Sequence, residues 1–274
     1  MRTIQHIQDI PFAGSGTPLT LDLYRPDIPG PVPVVLYLHG GGWKVGDKRD
    51  GAAERLAPLT EHGLAVASAN YRFSTEAAHP AQVHDTKAAV RWLRARGAEH
   101  GLATQRIGVW GVSAGAYLAS MVGLTAGDAE LEGVVGEDLE AGSDVQAVVH
   151  WFGQSDLLAN GRRSWLEREI LAPPFEEDLL GLTDVDDDPA AVRAASPLHR
   201  VTAAAPPFLV AHGDRDRVTP ASESLALHDA LVRAGAQSTA LLLGGAGHEG
   251  HEFDRPDHLA ITAAFLLTHL REPS

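Results

Sequence analysis

Short continuous apolar runs alternate along this chain with stretches whose apolar positions recur at helical spacing. Residues 4–10 and 19–24 differ, because apolar and polar positions alternate there, as in a half-buried antiparallel edge. From Arg25-Pro26 to Pro33, prolines and glycine interrupt any strand. Val34-Val35-Leu36-Tyr37-Leu38 then has the pattern of a central parallel strand buried on both faces. A helix is predicted over 50–62, with Ala53, Leu56 and Ala57 inward and Gly63 after it. Leu64 to Ala69 is the next strand, and Pro80 opens a helix whose Val83, Val90 and Leu93 face the core. Asp85 on that helix is expected to be solvated or to cap. Arg106 to Trp110 and Asp144 to Trp151 add two strands, with an Ala- and Leu-rich helix over 116–126 between them. Pro207 to Ala211 and Ser238 to Leu243 follow, separated by a helix from Ser222 or Ser224 to Gly235 that carries Leu225, Leu227, Leu231 and Val232. A closing helix runs from Pro256 to Leu270. This alternation predicts a parallel sheet with right-handed crossovers and helices on both faces.

Residues 152–200 break the rhythm. They hold Pro173-Pro174, the acidic groups Glu176-Glu177-Asp178 and Asp184 to Asp188, and helical patches near Trp165-Leu166 and Leu179-Leu180. An insertion this long inside a domain is usually functional, and it is read as a small helical cap; the plain alternative is a surface insertion without a role. The acidic run is expected to be solvated. Residues 1–274 are otherwise expected to form a single domain around one large core.

Composition narrows the partners. The net charge of -14, from 22 basic and 36 acidic residues, disfavours phosphate backbones and anionic lipid surfaces, so neither nucleic acid nor a membrane is expected as a partner. There are no cysteines, which excludes disulfides and thiolate chemistry. The first residues lack the apolar core of a secretory signal, and no run of about 18 apolar residues exists. A cytoplasmic protein, monomeric or homodimeric, is the expectation.

The chemistry gathers at predicted strand ends. Gly111-Val112-Ser113-Ala114-Gly115 lies where a strand passes into a helix, and Gly-X-Ser-X-Gly there is the pattern of a nucleophile elbow. A bare small-residue turn is the alternative. His39-Gly40-Gly41-Gly42-Trp43 ends the central strand, and its glycines let backbone N–H groups approach a ligand. His39 is read as orienting this loop. Trp43 either packs under it or walls an acyl pocket, and Trp151 is a second pocket candidate. A serine hydroxyl needs a base, and the base needs a carboxylate to fix its tautomer. The chain supplies Ser113, Asp216 and His248 in that order, with Asp214 and His251 as competitors. Asp216 is preferred because it lies further along its turn, and His248 because it leaves the last strand at a Gly-rich turn. His84, His212 and His258 are taken as surface or core residues. The spacing of His248 and His251 does not match His-Glu-X-X-His, so no metal is expected. Gly41, Gly42 and Ala114 are the expected oxyanion donors.

The set His39-Gly40-Gly41-Gly42-Trp43, Gly111 to Gly115, His212-Gly213-Asp214-Arg215-Asp216 and Gly247-His248 resembles the α/β-hydrolase carboxylesterases with an HGGGW-type oxyanion loop, related to hormone-sensitive lipase. Within that group it looks most like the bacterial acetyl and feruloyl esterase branch. Asn70-Tyr71-Arg72, Pro80 to Asp85, Lys87 to Leu93 and Ser196-Pro197-Leu198 add to the likeness, which spans about residues 20–262. Val112 departs from the Asp common at that place in the hormone-sensitive-lipase branch. The resemblance implies an eight-stranded, mostly parallel sheet, a Ser113, Asp216, His248 triad, and hydrolysis of short acyl esters without a cofactor. An arylformamidase or small amidase, and a non-catalytic ligand-binding protein on the same fold, are the competing functions.

Overall fold

The apolar runs assemble into one eight-stranded sheet, ordered β1-β2-β4-β3-β5-β6-β7-β8. A computed structural model describes residues 3–14, 19–164, 166–167 and 175–271. The strands are β1 (Ile4–Ala13), β2 (Leu19–Pro26), β3 (Val32–Leu38), β4 (Ala65–Ala69), β5 (Leu102–Val112), β6 (Ala147–Trp151), β7 (Phe208–Gly213) and β8 (Ser238–Leu243). β2 pairs antiparallel with β1 and β4, and every other pairing is parallel. The helices described are α1 (Ala57–Thr60), α2 (Ala81–Arg96), α3 (Ala114–Leu124), α4 (Ala129–Glu132), α5 (Leu157–Gly161), α6 (Phe175–Leu180), α7 (Pro189–Ala194), α8 (Ala221–Arg233) and α9 (Pro256–Leu270). This is the α/β-hydrolase architecture that the resemblance implies.

Continuous apolar strands follow from burial on both faces. One core packs α2, α3 and α8 against the sheet, through Val90, Leu118 and Leu227 among others. The other packs the Leu56 turn, α1 and α9 against the opposite face, through Leu59, Leu259 and Leu266. Val34, Leu36 and Val109 project into the first core and Val35, Tyr37 and Trp110 into the second. Each buried aliphatic side chain contributes roughly 1.5–3 kcal/mol relative to exposure. The parallel connections leave the carboxyl ends of β3, β5, β6, β7 and β8 on one edge, where the loops converge.

Several local expectations are corrected, mostly because a polar residue found a buried partner. The alternation in 19–24 does not mark a solvated face: β2 is an inner strand, and Asp22 is wholly buried against Lys48 and Arg49. Pro33 lies inside β3, at an irregularity in its pairing with β5. Over 50–62 the chain forms a π-helical turn (Ala52–Leu56) before α1. Arg55, Leu56 and Leu59 are buried there while Ala53 is exposed. Asp85 is neither solvated nor a cap, since it is wholly buried and accepts from the Arg72 amide and guanidinium. On α8, Leu227 and Leu231 are buried, but Leu225 and Val232 face outward.

Between Trp151 and β7 the chain leaves the sheet through α5, α6, α7 and a 3-10 turn (Pro197–Arg200). Leu157, Leu158, Leu179, Val185 and Val192 join the first core. Trp165, Pro173 and Pro174 lie outside the described residues. Glu176 and Glu177 are buried rather than solvated. Glu176 takes a hydrogen bond from Asn160 and an ion pair from Arg163 at 3.3 Å, and burial pushes its carboxyl pKa up.

Candidate active site

Ser113 carries the whole reversal between β5 and α3. Its backbone sits at φ 51° and ψ -121°, a strained conformation held by the Ser113 N–H donating to Trp151 O at 2.9 Å. A Cβ at Gly111 would lie 2.0 Å from Gly115 O, and one at Gly115 would lie 2.1 Å from Leu38 O. Glycine at both places is therefore a steric requirement of the turn. The reversal leaves Ser113 at the carboxyl edge of the sheet, 6% exposed.

Two other loops reach it there. His248 Nε2 lies 2.9 Å from Ser113 Oγ, and His248 Nδ1 lies 2.7 Å from Asp216 Oδ2. A carboxylate only accepts, so Nδ1 carries the proton and the Nε2 lone pair faces the serine hydroxyl. Asp216 Oδ1 accepts from the amides of Val218 at 2.8 Å and Thr219 at 2.9 Å. Burial alone pushes the Asp216 carboxyl up. Hydrogen bonds from His212 and His248, the charge His248 can carry and the Thr219 amide outweigh it, so the group is held far below the usual carboxylate range.

The competing residues separate cleanly. Asp214 Oδ1 accepts from Gly245 N at 2.6 Å and ties its turn to the loop after β8. The His251 side chain is 89% exposed, with Glu252 as its ion-pair neighbour. His84 meets the Glu130 carbonyl. His212 is wholly buried, in keeping with a core residue, and its Nε2 also lies 3.1 Å from Asp216 Oδ2, a contact that sequence patterning does not foresee.

The glycine loop lies against Ser113. A Cβ on Gly40 would stand 3.3 Å from Ser113 Cβ. Gly41 and Gly42 adopt φ 109° and 60°, and among the described residues their N–H groups meet no protein acceptor. Ala114 opens α3, so its N–H has no acceptor within the helix. His39 orients the loop, with Nδ1–H donating to Gly40 O at 2.8 Å and the Tyr71 hydroxyl donating to His39 O at 2.9 Å. Burial pushes the His39 ring pKa down, which keeps it neutral.

The pocket expectation for two tryptophans is corrected. Trp43 is wholly buried, donates Nε1–H to Ala114 O at 3.1 Å and packs edge-on to Tyr117, so it props the loop from beneath. Trp151 is 1% exposed between Trp110, Phe253 and the Arg55 guanidinium. Both rings support the site's floor and offer it no open wall. Phe152, wholly buried as well, packs edge-on against the His248 ring at 5.1 Å and is backed by Phe253. Arg55 grips Asp254, six residues beyond His248, through Nε at 2.6 Å and Nη2 at 3.1 Å, and reaches Tyr37 Oη at 2.9 Å.

Described residues of the inserted segment touch the same edge. A Cβ on Gly42 would meet the Phe175 ring at 2.6 Å, which places that ring directly on the glycine loop. Lys44 pairs with Asp178 at 2.5 Å, and Arg163 donates to Val218 O at 3.1 Å in the Asp216 turn. Sequence patterning missed His212, Arg55 and Phe175. Only the position of His212 at a strand end, four residues before Asp216, offered a signal. Among the described residues no group of three His, Asp or Glu side chains is placed to hold a metal ion, and no helix is long and apolar enough to cross a membrane.

A serine, histidine and aspartate joined in this order on an α/β-hydrolase sheet, beside a glycine loop with free amides, define the class of serine-nucleophile α/β-hydrolases. The BD-FAE family model matches residues 21–231, and the chain belongs to that family. It is 35% identical to esterase LipQ of Mycobacterium tuberculosis, over 83% of this chain and 53% of that protein. It is 36% identical to esterase LipC of the same organism, over 83% of this chain and 56% of that protein. The chain thus spans about half the length of these curated relatives. A solved truncated form of a carbohydrate esterase from gut microbiota superposes with a TM-score of 0.87 at 30% identity, covering 98% of this chain and 97% of that one.

Proposed function

We propose that this chain is a serine carboxylesterase acting on short-chain or aryl esters of the acetyl or feruloyl type through an acyl-enzyme. The observation that carries the reading is the unbroken relay from Ser113 Oγ through His248 to Asp216, at 2.9 Å and 2.7 Å. Membership of the BD-FAE family and the esterase names of the relatives support it. Ser113 Oγ attacks the ester carbonyl while His248 Nε2 takes its proton. The oxyanion is received by the N–H groups of Gly41, Gly42 and Ala114. His248 then returns the proton to the leaving alcohol, and water repeats the sequence on the acyl-enzyme. Asp216 stays ionised throughout and stabilises the imidazolium. Residues 152–200 act as a cap on a single domain, with Phe175 and the pairing of Lys44 with Asp178 seating it on the glycine loop. We further place its action in the cytoplasm, as a monomer or homodimer, which cell fractionation and light scattering check.

Hydrolysis of p-nitrophenyl acetate by the wild type and by Ser113→Ala tests the reading. Turnover is expected from the wild type alone, and equal rates would overturn it. A panel of acetyl and feruloyl esters alongside N-formylkynurenine then ranks ester against amide cleavage.

A further inference from the structure

A second imidazole rests on the Asp216 carboxylate. His212 is the penultimate residue of β7 and wholly buried. Its Nε2 lies 3.1 Å from Asp216 Oδ2 and 2.9 Å from Thr219 O, and its Nδ1 lies 2.7 Å from Ser224 Oγ on the first turn of α8. Both neighbours of Nε2 only accept, so Nε2 carries the proton. Nδ1 is then a lone pair, and the Ser224 hydroxyl donates to it. Three contacts fix the orientation of the ring, with Nε2–H aimed at Asp216 Oδ2. Asp216 Oδ2 therefore receives two ring N–H groups, while Oδ1 receives the two backbone amides.

We propose that His212, locked by Ser224, is a positioning residue of the relay: its Nε2–H shares Asp216 Oδ2 with His248 and so limits how strongly Asp216 holds the proton on His248. The proposal rests on the esterase reading of the same site. With the donor removed, the carboxylate charge bears more fully on His248, and the imidazolium gains stability. His248 then stays protonated to higher pH, where it cannot act as a base, so the acidic limb of activity moves upward. Oδ2 also loses the contact that fixes its direction towards His248.

Other ionisable groups approach from each packed element. His150 comes from β6, wholly buried, with its ring on Ser120 Oγ and the Ala116 and Gly153 carbonyls. Glu223 sits beside Ser224 on α8 and accepts from the Ser155 and Asp156 amides. Glu249 follows His248 and lies 3.9 Å from Arg55. Arg163, paired with Glu176, reaches the Val218 carbonyl from the inserted segment. Asp214, Arg215 and Arg217 are exposed on the turn itself. Substitution of His212 or Ser224 leaves all of these side chains present.

The test compares His212→Phe, His212→Gln and Ser224→Ala in the full chain. Two readouts are the pH dependence of kcat and KM on p-nitrophenyl acetate and the downfield proton resonance of the His248 Nδ1–H. His212→Phe should raise the acidic limb by about one pH unit and lower kcat about tenfold with KM little changed, the scale of a hydrogen bond to a charged group. His212→Gln keeps a donor near the Nε2 position and should bring the limb back towards the wild type, while Ser224→Ala should shift it the same way as His212→Phe by a smaller amount. The His248 resonance should move in His212→Phe, a reading that needs no turnover. An unmoved limb and resonance in His212→Phe, or a Gln variant no better than Phe, would overturn the proposal. Should His212→Phe not fold, the other two decide: the limb must stay in His212→Gln and move in Ser224→Ala, and any other pair of results overturns it. Failure of the esterase reading would show differently, as absence of turnover in the wild type.

Discussion

Asp22 and Asp216 both hold their side chains wholly out of solvent, yet the protein surrounds them in opposite ways. Asp22 on β2 is met by Lys48 Nζ at 3.1 Å and Arg49 Nε at 3.1 Å, with the Asp9 amide at 2.8 Å. Lys48 also reaches the Asp9 carboxylate at 2.6 Å, so the cluster is balanced at rest. Asp216 receives two amides and two imidazoles and, among the described residues, no lysine or arginine. An ionised carboxylate buried without a cation is unfavourable unless dense hydrogen bonding offsets its lost hydration. In the proposed reaction its counter-charge arrives only when His248 takes the Ser113 proton, which is the moment at which a stabilising field lowers a barrier. The balanced cluster clamps β1 and β2 to the segment after the glycine loop, and the unbalanced one serves proton transfer in the proposed reaction.

Neutralising each carboxylate should separate the two roles. Asp216→Asn is expected to lower kcat about 10⁴-fold, because the amide no longer enforces the His248 tautomer. Asp214→Asn should keep most activity, and similar losses in both would break the assignment. Asp22→Asn should leave kcat near the wild-type value but remove about 3 kcal/mol of stability in urea unfolding, since Lys48 stays 2% exposed with less counter-charge. A large kcat loss there would merge the regions that the comparison separates. Gly42→Ala spares both carboxylates, but its Cβ would drive into the Phe175 ring. It should lower kcat roughly 10²-fold by displacing the oxyanion donors, with a smaller change in KM.

Acid sharpens the contrast from another side. His79 and His150 are held neutral by burial, with ring pKa values pushed down from 6.5 to about 4. Between those values the unfolded chain binds more protons than the native one, so stability is full above 6.5 and falls as pH drops towards 4. The loss is on the order of 1–3 kcal/mol per ring. Asp216, with its carboxyl far below the usual range, adds its own loss only in stronger acid. Thermal midpoints measured across this window should decline, and a flat profile would show that these rings ionise freely in place.

The apolar runs of β3, β5 and β7 were legible because parallel strands are buried on both faces, and Ser113 and Asp216 because each follows such a run; His248 follows the half-exposed edge strand β8 and was legible from its Gly-rich turn. Misreadings fell on polar residues whose partners lie on other elements, 13 to 199 residues away. Asp85 answers Arg72, Arg55 answers Asp254 at a separation of 199 residues, and Glu176 answers Arg163 across an irregular segment. Trp43 was undecided for the same reason, since only the packing of α3 shows what lies on each side of its ring.

By itself the sequence determined the layered sheet, the glycine-flanked nucleophile and the order of the relay, because strand period, turn sterics and hydroxyl chemistry are local constraints on residue type. Tertiary structure alone decided that His212 joins His248 on one oxygen, that the two tryptophans lie beneath the site, and that Phe175 covers Gly42. Those outcomes depend on which distant groups share a buried space, and a low-dielectric interior makes such pairings obligatory without marking them in local sequence.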